Sequence, residues 1–169
     1  LSQIASLAVK ETLDLYIGDV SIKWPNDIYW KDKKICGMLI ENDLMGIHIS
    51  QSIAGVGINI NQKEFHSSAP NPISIIQITH RESDRMEILA QVLQRIKEYY
   101  KILHEGDIEF ITDRYQAALF RKEGMHFYKD SEGTFNAGIV EVEADGHLVL
   151  QDETGKIRRY LFKEVQYIL

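Results

Sequence analysis

Residues 20–41 read Val20-Ser21-Ile22-Lys23-Trp24-Pro25-Asn26-Asp27-Ile28-Tyr29-Trp30-Lys31-Asp32-Lys33-Lys34-Ile35-Cys36-Gly37-Met38-Leu39-Ile40-Glu41. The first five alternate as a strand does. Pro25, Asn26 and Asp27 are turn residues: the Pro presets its own φ, and Asn and Asp bond nearby backbone. Residues 28–30 are short and β-prone, Lys31-Asp32-Lys33 reads as a hairpin turn, and residues 35–41 form an apolar, strand-like run. Asn42-Asp43 begins a further turn with Gly46 just beyond it. Residues 47–60 are then long and β-prone, broken by Gly55 and Gly57. The connections are too short for crossover helices, so the segment predicts a meander of antiparallel strands.

On the N-terminal side, residues 1–16 predict an amphipathic helix with Ile4, Leu7, Ala8, Val9, Leu13 and Leu15 apolar, ended by Gly18-Asp19. On the C-terminal side, residues 61–72 read as loop. Ser83 or Asp84 caps a helix to about residue 103, with Ile88, Leu89, Val92, Leu93, Ile96 and Tyr100 on one face. Gly106-Asp107 ends it and begins a second helix, residues 108–119, expected to pack antiparallel to the first.

From Gly124 the pattern changes. Residues 126–129, 135–143, 148–151 and 157–161 are short strands separated by Asp130-Ser131-Glu132-Gly133, Ala144-Asp145-Gly146 and Asp152-Glu153-Thr154-Gly155. Regularly spaced Gly turns predict a small barrel or sandwich. The fold class is therefore α+β. Residues 1–120 form a mixed, mostly antiparallel sheet packed on helices, and residues 121–169 a small β domain.

The chain has 169 residues, 44% hydrophobic and 26% charged, with formal charge −6. These are globular values. No basic run is long enough to track a phosphate backbone, so nucleic acid is not an expected partner of this segment. No apolar stretch reaches the roughly 18 residues of a membrane span. The single cysteine, Cys36, cannot form an internal disulfide and lies in an apolar run. It reads as a small core hydrophobe in a reducing, cytoplasmic protein.

Three constellations carry chemistry: Lys23-Trp24-Pro25-Asn26-Asp27; Lys33-Lys34-Ile35-Cys36-Gly37-Met38-Leu39-Ile40-Glu41; and Gly55-Val56-Gly57-Ile58-Asn59-Ile60. Each has a plain reading. The first is a turn whose Asn and Asp bond their own backbone. In the second, Lys34 snorkels to solvent from the start of a buried strand. In the third, glycines allow close backbone packing. Each also has a functional one: a Lys beside a Gly-bearing strand suits an anionic substrate, and Asn59 offers both donors and an acceptor to a base edge. Gly-x-Gly-x-Asn lacks the third Gly and following helix of a dinucleotide fingerprint.

Together, in this order and spacing, the three motifs resemble the biotin protein ligases, over nearly the whole chain. The C-terminal strands match in pattern alone. The resemblance implies a truncated class II synthetase-like core followed by an SH3-like β barrel. It implies an enzyme that forms biotinoyl-5′-AMP from biotin and ATP with Mg²⁺, then transfers biotin to a lysine of a biotin carboxyl carrier domain. Carried over residue by residue, Lys34 contacts the biotin carboxylate and the phosphate, and Asp27 is the acidic residue at the reaction centre. Gly37 and Leu39 line the biotin pocket. Asn59, Asn26 and Lys34 hold ATP or the adenylate, and Lys23, Trp24 and Asn26 shape the site. No metal ligand is assigned, and a homodimer is left open.

The alternatives are a lipoate ligase or lipoyl/octanoyl transferase, against which Trp24-Pro25-Asn26-Asp27 argues, and a non-catalytic fragment that binds partner chains. The Gly/Arg-rich adenylate loop, the Ser-Thr-Asn-type strand and the biotin-holding Gln of that family have no counterpart in these residues. The chain by itself is therefore expected to bind no biotin detectably at micromolar protein.

Overall fold

The computed structural model describes residues 1–46, 48–66 and 71–169. They form two compact units, Leu1–Tyr115 and Gln116–Leu169. No helix among them is long and apolar enough to cross a membrane.

In the first unit, β1 (Val20–Lys23), β2 (Asp27–Trp30), β3 (Lys33–Met45) and β4 (His48–Ile58) form an antiparallel sheet in chain order. The β2–β3 ladder pairs Asp27 with Gly37 and Ile28 with Cys36, then shifts register at Ile28/Tyr29 so that Tyr29 faces Lys34. A turn was expected at Asn42-Asp43. Instead both residues continue the ladder, opposite Ser52 and Gln51, and the chain reverses beyond Met45. The positive φ of that reversal, +66°, falls on Gly46, where the missing Cβ makes it cheap. Ile47, expected to start the next strand, and residues 67–70 of the expected 61–72 loop lie outside the described residues.

Helix α1 (Ser2–Leu13) buries Ile4, Leu7, Ala8, Val9 and Leu13. It stops three residues short of the expected end. Leu15 and Tyr16 close on Thr12 and Leu13 by i→i−3 bonds, the tightened last turn of a fraying helix, and Leu15 stands exposed. A short helix unanticipated from sequence, α2 (Ile75–Thr79), follows Ser74, whose backbone N–H donates to Gln77 Oε1 at 3.2 Å. Helix α3 (Arg85–His104) is capped by Asp84, whose Oδ1 accepts from Met86 N at 2.8 Å.

The expected α3 face is only partly the buried one: Ile88 and Val92 are buried, but Leu89, Leu93 and Tyr100 are exposed and Tyr99 is inside. The expected antiparallel pairing of α3 with the next helix, α4 (Ile108–Ala117), also needs correction, because α3 packs along α1. Glu11 on α1 draws it there, accepting from Tyr99 Oη at 2.7 Å and pairing with Arg95 at 3.4 Å. Arg114 of α4 joins the same group, donating to Tyr99 Oη at 2.8 Å and to Glu11 at 3.1 Å.

The unit boundary falls inside α4, a few residues before the expected 120. Gln116 explains the shift: its side-chain amide donates to Val142 O at 2.8 Å and accepts from Val142 N at 3.1 Å, tying the helix end into the second unit. That unit holds β5 (His126–Lys129), β6 (Thr134–Val142), β7 (Leu148–Asp152), β8 (Ile157–Tyr160) and the unanticipated β9 (Gln166–Tyr167). The order is β8-β7-β6-β5-β9, antiparallel throughout, and no ladder joins β8 to β9 among the described residues.

Its core is Tyr128, Ala137, Leu148 and Leu150, all 0% exposed. Beside this core sits a buried carboxylate. Asp152 Oδ1 accepts from Thr154 Oγ1 at 2.6 Å and from the N–H groups of Thr154 and Lys156, each at 3.0 Å. Its Oδ2 accepts from Arg158 Nε at 3.0 Å. Arg158 lies 4.4 Å from the centre of the Phe135 ring and reaches Asp130, which also accepts from Tyr160 Oη at 2.6 Å.

The Thr154 hydroxyl, then Arg158 and the backbone donors, hold the Asp152 carboxyl down to about 2. A carboxyl depressed by folding stabilises the fold above its ordinary value, 3.8 here, and that contribution is lost as pH falls towards 2. The expected result is that acidification through this window lowers the melting temperature of the second unit, followed by circular dichroism. In Asp152→Asn the loss is already present at neutral pH, and the dependence between these pH values is flatter.

Candidate functional site

The turn between β1 and β2, with a cis Trp24–Pro25 peptide, is clipped to β3 by one residue. Asn26 O accepts from Met38 N at 3.0 Å, and Asn26 Nδ2 donates a short bond to Met38 O. That clip seats Asp27 across the ladder from Gly37. Lys34 Nζ lies 2.6 Å from Asp27 Oδ1, and both side chains are about a quarter exposed, 27% and 22%. Trp24 and Tyr29 are buried beneath, and Lys23 Nζ stands 5.1 Å from the Tyr29 ring centre.

The ion pair explains Gly37. A Cβ there would lie 3.0 Å from Lys34 Cε, 3.1 Å from Lys34 Nζ and 3.4 Å from Asp27 Oδ1. The glycine is the space in which the pair meets.

Directly opposed residues of an antiparallel pair share a face. Gly37 opposes Gly57, Leu39 opposes Gly55, and Glu41 opposes Ile53. This face therefore runs from the ion pair over a floor without side chains at Gly57 and Gly55 to Leu39 and Ile53, which are 63% and 54% exposed. The opposite face of β3 carries Cys36 and Met38 into the core. Close backbone packing, the plain reading of Gly55 and Gly57, is not what they do. Among the described residues, chain neighbours aside, a Cβ built on them would have within 4 Å only Leu39 O at 3.8 Å and Gly37 O at 3.7 Å, both from their own ladder. A cation at one end of an open apolar strip can hold an apolar molecule by a terminal carboxylate.

Other expected roles change. Asn59 was expected to offer donors and an acceptor together, but its amide hydrogens are engaged: Nδ2 donates to Ile73 O at 3.1 Å and more weakly to Lys34 O at 3.5 Å. Its Oδ1 remains. The amide of Asn26 is likewise engaged by Met38. Lys34 does not snorkel freely, since Asp27 holds it. Cys36 is the inert core residue expected, and burial pushes its thiol up to about 12.

Sequence reasoning missed the strip around residues 71–73. Lys34 N donates to Asn71 O at 3.1 Å, Ile73 N donates to Lys34 O at 2.9 Å, and Pro72 bridges Lys34 in parallel. Asn71-Pro72 reads locally as loop, and nothing local signals its partner.

Residues 3–59 match the biotin/lipoate A/B protein ligase family, a stretch that contains the whole ion-pair site. That stretch is 57 of the chain's 169 residues, and the proteins to which the chain is similar include biotin ligases. The bifunctional ligase/repressor BirA of Bacillus spizizenii is 27% identical over 164 residues, 92% of this chain and 49% of that protein. The biotin–[acetyl-CoA-carboxylase] ligase of Paracoccus denitrificans is 30% identical over 96 residues, 53% of this chain and 40% of that one. Among solved structures, the Aquifex aeolicus biotin protein ligase in complex with biotin and ATP is 27% identical with TM-score 0.77, covering 99% of this chain and 71% of that one. The chain spans about half the length of the BirA relative it matches.

If Gly37 is the space for the ion pair, Gly37→Ala should fold, because the atoms in its way are flexible side-chain ends. Its melting temperature should move by less than about 4 °C, the scale of ~1 kcal/mol. The parent chain should show through-space NMR contacts between the Lys34 and Asp27 side chains, and these should weaken in the variant. Gly57→Ala should leave both readouts unchanged.

Proposed function

We propose that the protein carrying this chain is an ATP-dependent biotin protein ligase. It joins biotin to AMP and passes biotin to a lysine of a carboxylase carrier domain. The observation that carries this reading is the Lys34–Asp27 pair at the head of the Gly57–Gly55–Leu39 floor. The family match and the likeness to a ligase solved with biotin and ATP support it.

In the first step a biotin carboxylate oxygen attacks the α-phosphorus of ATP. The bond to the bridging oxygen breaks and pyrophosphate leaves. Two anions must approach, so a cation fixed in place before the reaction is the main contribution a protein can make. Lys34 is that cation, and Asp27 fixes its ammonium through the 2.6 Å contact. Gly37 and Leu39 bound the biotin end. Asn26, whose amide donor is held by Met38, stands at the adenylate end through its remaining oxygen. In the second step the carrier lysine's amine attacks the acyl carbon, and AMP leaves.

Mg²⁺ fits the donor chemistry present. Asp27, one oxygen of which is taken by Lys34, is the kind of single carboxylate that suffices when phosphates and water complete the shell. Bound there, the ion would neutralise phosphate charge. The second unit is proposed as the small barrel of such ligases, closing over the nucleotide or docking the carrier.

Lys34→Ala should fold normally and lose roughly 10²–10³-fold in pyrophosphate release with biotin and ATP. Release at the wild-type rate would remove Lys34 from the reaction. Calorimetry with lipoate in place of biotin tests the substrate, since tighter lipoate binding would transfer the reading to the lipoate branch of the family. Deleting residues 124–169 should impair carrier biotinylation while the first unit keeps its fold. Unchanged biotinylation would deny that unit a part in ligation.

A further inference from the structure

The main chain that carries Lys34 is caught by one residue at two points. β4 ends at Ile58, opposite Cys36, so no β4 residue faces Lys34. Lys34 N donates instead to Asn71 O at 3.1 Å, and Ile73 N donates to Lys34 O at 2.9 Å, a parallel bridge in which Pro72 faces Lys34. The second point lies two residues earlier. Asp32 is in the turn between β2 and β3, and its carbonyl accepts from Asn71 Nδ2. Asn71 thus holds Asp32 with its side chain and Lys34 with its backbone.

Asparagine suits both tasks. Residue 71 has φ +40°, a left-handed backbone that Asn tolerates better than most residues with a side chain. Pro72 follows, and the residue before a proline is pushed away from right-handed helical backbone. The Asn71 side chain is packed in place, since its Oδ1 is shut off from solvent. The carbonyl acceptor at Asp32 also decides which end of the amide carries nitrogen, because the reverse orientation would set oxygen against oxygen.

We infer that Asn71 is a positioning residue for Lys34. It clamps the hairpin turn and the first residues of β3 together, so the Lys34 side chain leaves the main chain from a fixed point and meets Asp27 at 2.6 Å. The inference rests on reading Lys34 as the charge at the reaction centre. A Lys side chain is a flexible stem, so holding its charge still requires a grip at both ends. Asp27 holds the tip and Asn71 the root.

Asn71→Asp keeps the shape and the tolerance of left-handed backbone, but it loses the donor and sets an oxygen against the Asp32 carbonyl. Asn71→Gly loses the side chain and keeps the backbone freedom, so it serves if Asn71→Asp folds poorly. Two readouts need no activity. In both variants the Lys34 amide should exchange with solvent faster than in the parent, with the amides of α1 unchanged. Through-space NMR contacts between the Lys34 and Asp27 side chains should weaken. In the active protein the rate of adenylate formation at saturating biotin and ATP should fall roughly 10²-fold, the scale for a misplaced reacting group. The KM for ATP should stay as it was. In a protein that already carries Lys34→Ala, Asn71→Asp should cost nothing further, because the group it positions is gone.

Losses that multiply in the double variant overturn the inference, since Asn71 would then act by another route. So does a Lys34 amide that exchanges as slowly as in the parent. Faster exchange throughout α1 with a lowered melting temperature also overturns it and marks Asn71 as a residue of the fold at large. A raised KM for ATP at an unchanged rate overturns it too, and marks Asn71 as a nucleotide contact. A parent protein that forms no biotinoyl adenylate refutes the proposed function, and the amide exchange and the Lys34–Asp27 contacts still judge Asn71.

Discussion

The Lys34–Asp27 pair depends on a backbone that cannot be had from two strands alone. Lys34 sits where the β3–β4 ladder has run out and the β2–β3 ladder has just shifted register. Such a position would normally fray, with its backbone groups left to water. Here residues 71–73 return to it, and Asn59 ties them down. On the other side Asn26 clips the preceding turn onto Met38. Both members of the pair are therefore held at the main chain. That is how a Lys, whose long side chain carries much rotamer entropy, can be presented as a fixed charge.

The same strand divides core from site. Cys36 and Met38 face the core, while Gly37 and Leu39 face the open strip, because successive side chains point to opposite sides. Glycine appears on the open side for two different reasons. At Gly37 a Cβ would collide with the ion pair, whereas at Gly55 and Gly57 it would meet only the ladder, so their absent side chains leave room for something outside it.

The second unit is organised on another basis. Its centre is a buried carboxylate that gathers the Asp152–Lys156 turn around itself and draws in Arg158. An ionised Asp is tolerated there because every oxygen is satisfied, two of its partners being backbone amides that a turn exposes in any case. A hydrogen-bonded turn of this kind pins the β7–β8 register in a sheet whose apolar core is small.

What the sequence by itself determined is whatever is encoded locally. The meander follows from alternation and turn residues, the start of α3 from Asp84, the turns at Gly133, Gly146 and Gly155 from the positive φ each adopts, and the buried fate of Cys36 from its neighbours. The order of Lys-Trp-Pro-Asn-Asp, Lys-x-x-Gly and Gly-x-Gly-x-Asn named candidate site residues, because motif spacing needs no coordinates. Tertiary structure alone decided how they are used. The path of residues 71–73, the capture of the Asn59 and Asn26 amides by backbone carbonyls, the choice of α1 over α4 as partner for α3, and the extension of β3 past Asn42-Asp43 all rest on partners distant in sequence. A polar side chain advertises its donors and acceptors, but which are spent and which are left for a ligand depends on the backbone groups the fold brings beside it.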